Sequence, residues 1–242
     1  MQLKPALAAF KMTDHPHKYG EYGSRSAFLF HELLRRDMPN GEGRKSFKKG
    51  DNIFNEGEHA NGLFCVISGK VKIVRLGDGG REQIVRLAGK LDVIGYRALL
   101  AGQQYHASAV ALEDTMIGYV PKKIFFEILN SNPEISMQMM RLLSQDLDQS
   151  EIKRVDIATK SVKERVAELI LLLKETYGTR EDGKTLDIYL SREDLAAMVG
   201  AAKEVVIRAL AQLKDENLIE SKGRDIILAD IPGLIKTARL MD

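Results

Sequence analysis

The chain has 242 residues, of which 44% are hydrophobic and 29% are charged, and it carries a formal net charge of +2 and a single cysteine. This composition predicts a water-soluble protein with enough apolar residues to build a core. A single thiol excludes an intramolecular disulfide and an all-cysteine zinc or iron–sulfur site. No apolar run reaches the ~20 residues of a membrane span. A cytoplasmic location is therefore expected.

The first 45 residues carry the weakest pattern and form a helical or irregular lead-in to the first predicted domain. Ser26–Asp37 predicts one amphipathic helix, which the polar residues after it end. His15 and His17 lie two residues apart and could bind a metal, but two histidines in a proline-containing segment are a weak pattern. We therefore predict no metal site here.

Short β-type segments alternate with glycine from Phe47 to Val120. The alternation is clearest around Val71 and Ile73, which point to one face of a strand while the neighbouring lysines point to the other. Gly77–Gly80 has the composition of a hairpin turn. Many short strands separated by glycine predict an antiparallel β-barrel or jelly roll of about 75 residues, within a first domain of residues 1–131.

A helical stretch starts at Pro121, and Asn132-Pro133 then opens a longer helix over residues 132–158 with proline in its first turn. One edge of this helix repeats at spacings of three and four: Met140, Leu143, Leu147, Ser150, Arg154 and Ile157. A second apolar edge consists of Ile135, Met139 and Leu142. Two edges predict that one packs on its own domain and the other on a second copy, as in a coiled-coil homodimer; a single helix buried in a monomer is the alternative.

A change of domain is predicted where the long helix ends near Thr159. Ser161 and Glu164 form a capping box that starts a new helix, and a helical unit spans residues 159–242. Ser191 and Asp194 form a second cap before the helix Arg192–Val199. Neither internal repeats nor low-complexity segments are found.

The order of elements after Ser191 predicts a winged helix-turn-helix. Gly200–Ala202 is a tight turn, the second helix runs from Lys203 to about Asn217, and two β-type segments flank Lys222-Gly223-Arg224 as a hairpin. The whole chain is accordingly expected to be an α+β protein with a β-barrel or jelly roll, a long dimerisation helix and a C-terminal winged helix-turn-helix.

Three charged side chains lie on one arc at the start of the second helix: Lys203, Glu204 and Arg208. In a helix-turn-helix this end enters the major groove of double-stranded DNA. Arginine can bind guanine through two hydrogen bonds, and glutamate can accept one from the cytosine amine. A surface that bound phosphates alone would gain nothing from Glu204, so the arc is predicted to read bases. A solvated charged face is the alternative.

Charge limits how this unit can bind the DNA backbone. Residues 160–242 contain 14 Lys and Arg against 15 Asp and Glu, a net charge of −1. Non-specific attraction should therefore be modest, and phosphate contacts must come from a few groups. The predicted phosphate-contacting residues are Ser191 at a helix N-terminus, Arg192, Lys222 and Arg224.

From about Ser46 onward the chain resembles the Crp/Fnr family of bacterial transcription regulators. The resemblance rests on IFNEGE at residues 53–58, GLFCVISG at 62–69 and SREDLAAMVGAAKEVVIRALAQLKDENLI at 191–219. In the family the recognition helix usually begins Ser-Arg-Glu with a further Arg four residues after the Glu; here Ala202 and Lys203 replace the first two, while Glu204 and Arg208 match. The resemblance implies a homodimer on an inverted-repeat DNA site, with RNA polymerase as a further partner and no membrane.

The sensor half departs from the family pattern for cyclic AMP. Members that bind it hold the ribose with a Gly-Glu pair and the phosphate with an Arg-Ser/Thr-Ala segment. In this chain Tyr96 occupies the position of the glutamate and Tyr105 that of the arginine, so cyclic AMP is expected to bind weakly or not at all. The effector pocket implied by the resemblance contains Gly95, Tyr96, Arg97, Ala98, Tyr105, His106 and Ser150.

Several side chains could still supply a charge or a ligand to this pocket. Arg97 could swing in, Arg81 and Arg86 are strand candidates, and His106 could carry a charge when protonated or ligate a haem iron. The chain lacks the N-terminal cysteine cluster of the iron–sulfur branch, so no such cluster is expected.

Two functions therefore stay open: a homodimeric DNA-binding regulator with a small effector, and a cyclic-nucleotide-binding signalling subunit that acts on a protein partner. The winged helix favours the first. No enzyme is expected, because no nucleophile–base pair, metal-ligand cluster or phosphate-binding glycine loop is found.

Overall fold

A computed structural model describes Leu29 and residues 43–240, except for the side chain of Asp78. His15, His17 and all but one residue of the helix predicted over 26–37 lie outside the described residues. The exception, Leu29, is helical and fully buried in the first of two hydrophobic cores.

The N-terminal half is an antiparallel β-sandwich. Its strands are β1 (Arg44–Phe47), β2 (Asn52–Phe54), β3 (Gly62–Ser68), β4 (Val71–Leu76), β5 (Glu82–Ala88), β6 (Val93–Ile94), β7 (Ser108–Ala111) and β8 (Thr115–Pro121). One sheet has the order β1-β8-β3-β6 and the other β2-β7-β4-β5. In the described part of the chain the two sheets form an open sandwich, so of the two architectures predicted, the jelly roll is confirmed.

Two short helices and one long helix pack on the sandwich. They are α1 (Tyr96–Ala101), α2 (Lys122–Ser131) and α3 (Pro133–Thr159). The side chain of Asn132 accepts a hydrogen bond from the Ile135 amide at 3.3 Å and caps α3, as the Asn-Pro pair predicts. Ile135, Met139 and Leu142 are at most 7% exposed and join the first core. This edge of the helix therefore packs on its own domain, as expected.

The C-terminal part follows the predicted order of elements. It contains α4 (Val162–Tyr177), α5 (Arg192–Val199), α6 (Lys203–Asp215), β9 (Ile219–Lys222), β10 (Asp225–Leu228) and α7 (Ile231–Thr237). Both predicted capping boxes are present, at Ser161 with Glu164 and at Ser191 with Asp194. β9 and β10 pair as an antiparallel hairpin that forms the wing.

The second hydrophobic core crosses from the C-terminal part into the sandwich. Along with residues of α4–α7 it contains four buried residues of the sandwich: Val74, Ile84, Leu87 and Leu112. The helices after residue 159 therefore pack on the sheet that contains β4 and β5. Among the described helices, none is both long and apolar enough to cross a lipid bilayer.

Candidate nucleic-acid interface and effector cavity

A tight turn joins α5 to α6 and fixes the direction of the second helix. Gly200 ends α5 with φ of +69°, a left-handed conformation that side chains with a Cβ disfavour. α6 then begins at Lys203, and its apolar side (Val206, Ala209, Leu210 and Leu213) is buried in the second core. The opposite side of α6 consequently faces solvent.

The three predicted base-reading side chains lie together on that solvent-facing side. Lys203, Glu204 and Arg208 are all exposed, and Ile207 between them is 44% exposed. Lys203 forms an ion pair with Glu193 of α5; the hydrogen bond and the charge of that carboxylate raise the lysine pKa. A DNA base that bound Lys203 would therefore compete with Glu193. The base-reading roles stay predictions.

The predicted phosphate-contacting residues fall into two groups. Lys222 and Arg224 are exposed at the turn of the wing. The Ser191 hydroxyl accepts from the Asp194 amide at 3.0 Å and donates to its carboxylate at 2.8 Å, and Arg192 Nη2 donates to the Gly223 carbonyl at 3.4 Å. Ser191 and Arg192 thus already hold α5 and the wing in place, and any phosphate contact would add to those bonds.

The start of α6 lacks a side-chain cap. Ala202 occupies the N-cap position and its methyl group can accept no hydrogen bond from the first turn. We expect Ala202→Ser to raise the free energy of unfolding by about 1 kcal/mol, because a serine hydroxyl would accept one of these amide hydrogens. Chemical denaturation measures the change. Ala201→Ser, one residue earlier, is the matched control, and equal stabilisation by both variants would contradict the capping explanation.

An ion pair joins the β-sandwich to the helix-turn-helix. Lys72 Nζ of β4 lies 2.7 Å from the Asp194 carboxylate, and the two side chains are only 17% and 15% exposed. Burial acts to lower the pKa of Lys72, but the hydrogen bond and charge of Asp194 outweigh burial and raise it. Strand alternation predicted that Lys70 and Lys72 point away from the side of Val71. It did not predict that the C-terminal part covers the face to which these lysines point.

A cavity of about 720 Å³ lies between the sandwich and α3. All seven residues predicted for the effector pocket contribute to its wall: Gly95, Tyr96, Arg97, Ala98, Tyr105, His106 and Ser150. The sequence therefore identified residues that the fold brings together, although they come from β6–α1, the segment before β7, and the long helix. Their role in binding a ligand stays a prediction.

The two tyrosines at the family's ligand-binding positions are engaged within the protein. The Tyr105 hydroxyl donates to the Gly62 carbonyl at 2.6 Å, its ring stacks on Phe54 at 4.2 Å, and burial raises its pKa to about 12. The Tyr96 hydroxyl donates to the Asp146 carboxylate at 2.5 Å. Neither hydroxyl can replace a charged ligand-binding side chain.

The cations proposed from sequence are also accounted for. Arg97 binds the Asp146 carboxylate through Nε at 2.9 Å and Nη2 at 2.7 Å. Arg86 binds Asp92 at 3.2 Å and donates to the Tyr96 hydroxyl. Arg81 is exposed and does not belong to the cavity wall. From sequence, Arg97 was expected to be able to swing towards a ligand. The structure shows that its guanidinium is already held by the Asp146 carboxylate.

His106, the residue considered for haem, lies at an exposed position of the cavity wall. Its Nε2 is 2.7 Å from the Gln103 side-chain oxygen. Within residues 43–240, no three His, Cys, Asp or Glu side chains come together as a metal site. Cys65 is a free, buried thiol of the first core, and burial raises its pKa to about 12.

Three charged residues of the cavity wall were missed from sequence: Arg75, Asp146 and Lys153. Asp146 and Lys153 lie on α3 at seven-residue spacing from Met139, on the edge that faces the sandwich. Among the described residues, Lys153 Nζ reaches only the Ile84 carbonyl, at 3.4 Å, and burial lowers the pKa of the lysine. A heptad count along this edge would have found Asp146 and Lys153, since it places them with a residue that is known to be buried.

The other edge of α3 is an exposed apolar stripe. Met140 is 54%, Leu147 60% and Ile157 46% exposed, while Leu143 is half-buried against the first core. Ser150 and Arg154, the polar members of the predicted dimer interface, are exposed and also belong to the cavity wall. A second copy packed on this stripe would therefore cover one side of the cavity.

Comparison with known proteins gives two family matches and a set of similar regulators. Residues 44–132 match the cyclic nucleotide-binding domain, and residues 164–237 match the Crp-like helix-turn-helix domain. The chain is 30% identical over 194 residues to the CRP-like cAMP-activated global transcriptional regulator of Mycobacterium tuberculosis, covering 80% of this chain and 87% of that protein. It is 32% identical to electron transport regulator A of Shewanella oneidensis, over 78% of this chain and 76% of that protein.

Solved structures show the same fold. FixK2 from Bradyrhizobium japonicum matches with a TM-score of 0.72 at 25% identity, covering 80% of this chain and 96% of that chain. A CRP/FNR-family transcriptional regulator from Thermus thermophilus matches with a TM-score of 0.68 at 28% identity, covering 81% and 98%. Each of these matches covers about four fifths of this chain.

Proposed function

The chain belongs to the Crp/Fnr family of transcriptional regulators, and on that premise we propose that it acts as a homodimer on an inverted-repeat DNA site. The helix-turn-helix supplies the DNA-binding element. A small effector other than cyclic AMP, bound in the cavity between the sandwich and α3, controls it. Such a regulator works in the bacterial cytoplasm, where its DNA lies, and family resemblance makes RNA polymerase a further partner.

The observation that carries this proposal is the exposed face of α6. Its cation, anion and second cation project from the first two turns, while the other side of the helix is buried. Glu204 and Arg208 have the hydrogen-bonding groups that cytosine and guanine edges require. A surface whose purpose was solubility would not need the preceding capped helix, the tight turn and the wing in this arrangement.

The apolar stripe of α3 supports a two-fold dimer. Its members repeat every three and four residues from Met140 to Ile157, the spacing of a coiled-coil seam, and all of them except the half-buried Leu143 are exposed. A two-fold dimer is symmetric, with the same surface of each chain in the interface, so it would present two α6 helices to DNA. An inverted repeat has the matching symmetry.

A gel-shift assay on fragments of the source genome tests the proposal. We expect a small set of fragments to be retarded in the presence of excess unrelated DNA, because specific binding exceeds non-specific binding by several orders of magnitude. If all fragments bind alike or none binds, while a protein partner binds in the presence of a cyclic nucleotide, the chain is instead a signalling subunit.

Cyclic AMP should bind weakly or not at all. Its phosphate needs a paired cation when buried, whereas Tyr105 is neutral and bonded to Gly62, and Arg97 is paired with Asp146. Isothermal titration calorimetry measures the affinity. Micromolar binding that disappears in Arg97→Ala would mean that the arginine leaves Asp146 for the phosphate, and would overturn this prediction.

A further inference from the structure

The wall of the large cavity carries an excess of positive charge. Its five cationic side chains are Arg75, Arg86, Arg97, Lys153 and Arg154. Among the described residues, Asp146 is the one carboxylate in the same wall. Asp146 neutralises Arg97, Asp92 neutralises Arg86 from outside the wall, and Arg154 lies 3.5 Å from the exposed Glu151.

In the described part of the chain, both Lys153 and Arg75 lack a carboxylate partner within 4 Å, but Arg75 is exposed to solvent whereas Lys153 is half-buried. Within the part of the chain that the structure describes, the Lys153 ammonium group reaches a single acceptor, the Ile84 carbonyl, at the long distance of 3.4 Å. The side chain is half-buried between α3 and β5, and burial lowers its pKa. A charged group that is desolvated without a partner costs stability. Its presence points to a partner that the isolated chain does not supply.

The remaining wall is suited to an apolar body attached to that partner. The apolar side chains around the cavity are Phe54, Ile73, Val85, Ile94 and Ile157. The volume of about 720 Å³ falls within the range of small-molecule sites. Cyclic nucleotides meet the obstacles described above at Tyr96 and Tyr105, both of which lie apart from Lys153 along the chain, in α1 and in the segment before β7.

We propose that Lys153 binds the anionic head group of the effector, a small organic acid with an apolar body that occupies the rest of the cavity. This inference rests on the proposed function, since it takes the cavity to be the effector site. Lys153 is a binding residue by this assignment, and the desolvation of its ammonium group is offset when the acid binds.

The position of Lys153 also connects this ligand to the DNA-binding part. Lys153 belongs to the wall of a second, smaller cavity of about 110 Å³, which α3 and β5 share with α4 and the end of α5. Leu172 of α4 and Met198 of α5 line that cavity with it. A head group that draws Lys153 away from the Ile84 carbonyl would therefore alter packing next to the helix-turn-helix.

Two dyes with the same ring system test the assignment on the full chain. 8-Anilinonaphthalene-1-sulfonate carries an anionic group, whereas N-phenyl-1-naphthylamine is its neutral counterpart. We expect Lys153→Met to weaken binding of the sulfonate about tenfold or more, and to change binding of the neutral dye less than about twofold. Fluorescence titration measures both, and Lys153→Arg should retain sulfonate binding because it retains the charge.

Thermal unfolding without ligand gives an independent readout. Lys153→Met should raise the Tm by roughly 2–4 °C, since it removes a desolvated charge and retains the apolar stem. Lys174→Met is the matched control, because Lys174 is a half-buried lysine of α4 outside both cavities. It should neither weaken binding of the sulfonate dye nor raise the Tm.

Two results would overturn the assignment. If Lys153→Met binds the sulfonate as tightly as the unmodified chain, the lysine does not hold an anion. If Lys153→Met lowers the Tm, the bond to the Ile84 carbonyl is structural and explains the lysine without a ligand. The titrations contain no DNA, so either result leaves the DNA-binding proposal standing, and a failure to bind DNA leaves the dye result standing.

Discussion

Replacing Leu147 by glutamate should convert the dimer into a monomer and lower affinity for the DNA site by about 100-fold or more. The side chain lies at the middle of the α3 stripe and is 60% exposed in the single chain. In a two-fold dimer the substitution would bury two unpaired carboxylates close together, which costs several kcal/mol. A monomer also loses the gain in affinity that comes from linking two half-site contacts. Sedimentation equilibrium and fluorescence anisotropy measure the two effects.

Val155→Glu is the matched control for this substitution. Val155 is 59% exposed and lies on the same helix, but at 3.5 residues per turn it is about 130° away from the centre of the stripe. The control should stay dimeric and bind DNA normally. If Val155→Glu dissociates and Leu147→Glu does not, the dimer forms through a different face of α3.

Replacing Arg208 by alanine should cost about 1–3 kcal/mol on the cognate site, or roughly 5- to 150-fold in Kd, and relax the preference at one base pair. Arg208 is exposed on the second turn of α6, and its guanidinium can form two hydrogen bonds with guanine. Glu204→Ala should have an effect of similar size at a different base pair. Competition assays with single-base variants of the site identify the position that each side chain reads.

Two other basic residues separate base reading from general attraction. Lys214 is exposed in the last turn of the same helix, away from the end that enters the groove, so Lys214→Ala should leave sequence preference unchanged. Arg192→Ala should weaken binding to all DNA sequences alike and make the affinity depend less on salt concentration. If Arg208→Ala binds cognate and scrambled DNA in the same ratio as the unmodified chain, Arg208 does not read a base and DNA contacts a different face of α6.

The features predicted well from sequence depend on residues close together in the chain. Ser161 with Glu164, and Ser191 with Asp194, form their capping boxes within one turn, and Asn132 caps α3 through a residue three positions away. The periodicity of α3 separated its buried edge from its exposed edge because one helix carries both. Such signals need no knowledge of how distant segments pack.

The features that sequence reasoning missed depend on contacts between distant segments. Lys72 and Asp194 are 122 residues apart, and strand alternation alone could not show that a helix covers the lysine face. Arg97 and Asp146 are 49 residues apart, so the pairing that removes Arg97 as a free cation was also hidden. Lys153 shares the heptad position of the buried Met139, but the charged residues at positions 146 and 153 conceal that the sandwich continues along this edge of α3.

Selection of bound sequences from a random DNA library is the most direct test of the central claim, a homodimer that reads DNA through two copies of α6. The selected sites should be inverted repeats whose half-site centres lie about one helical turn apart, ~34 Å, and affinity should fall when the spacing is changed by about half a turn. A selected site that is a single undivided half-site, or an affinity that is independent of spacing, would contradict the dimer and the mode of DNA recognition together.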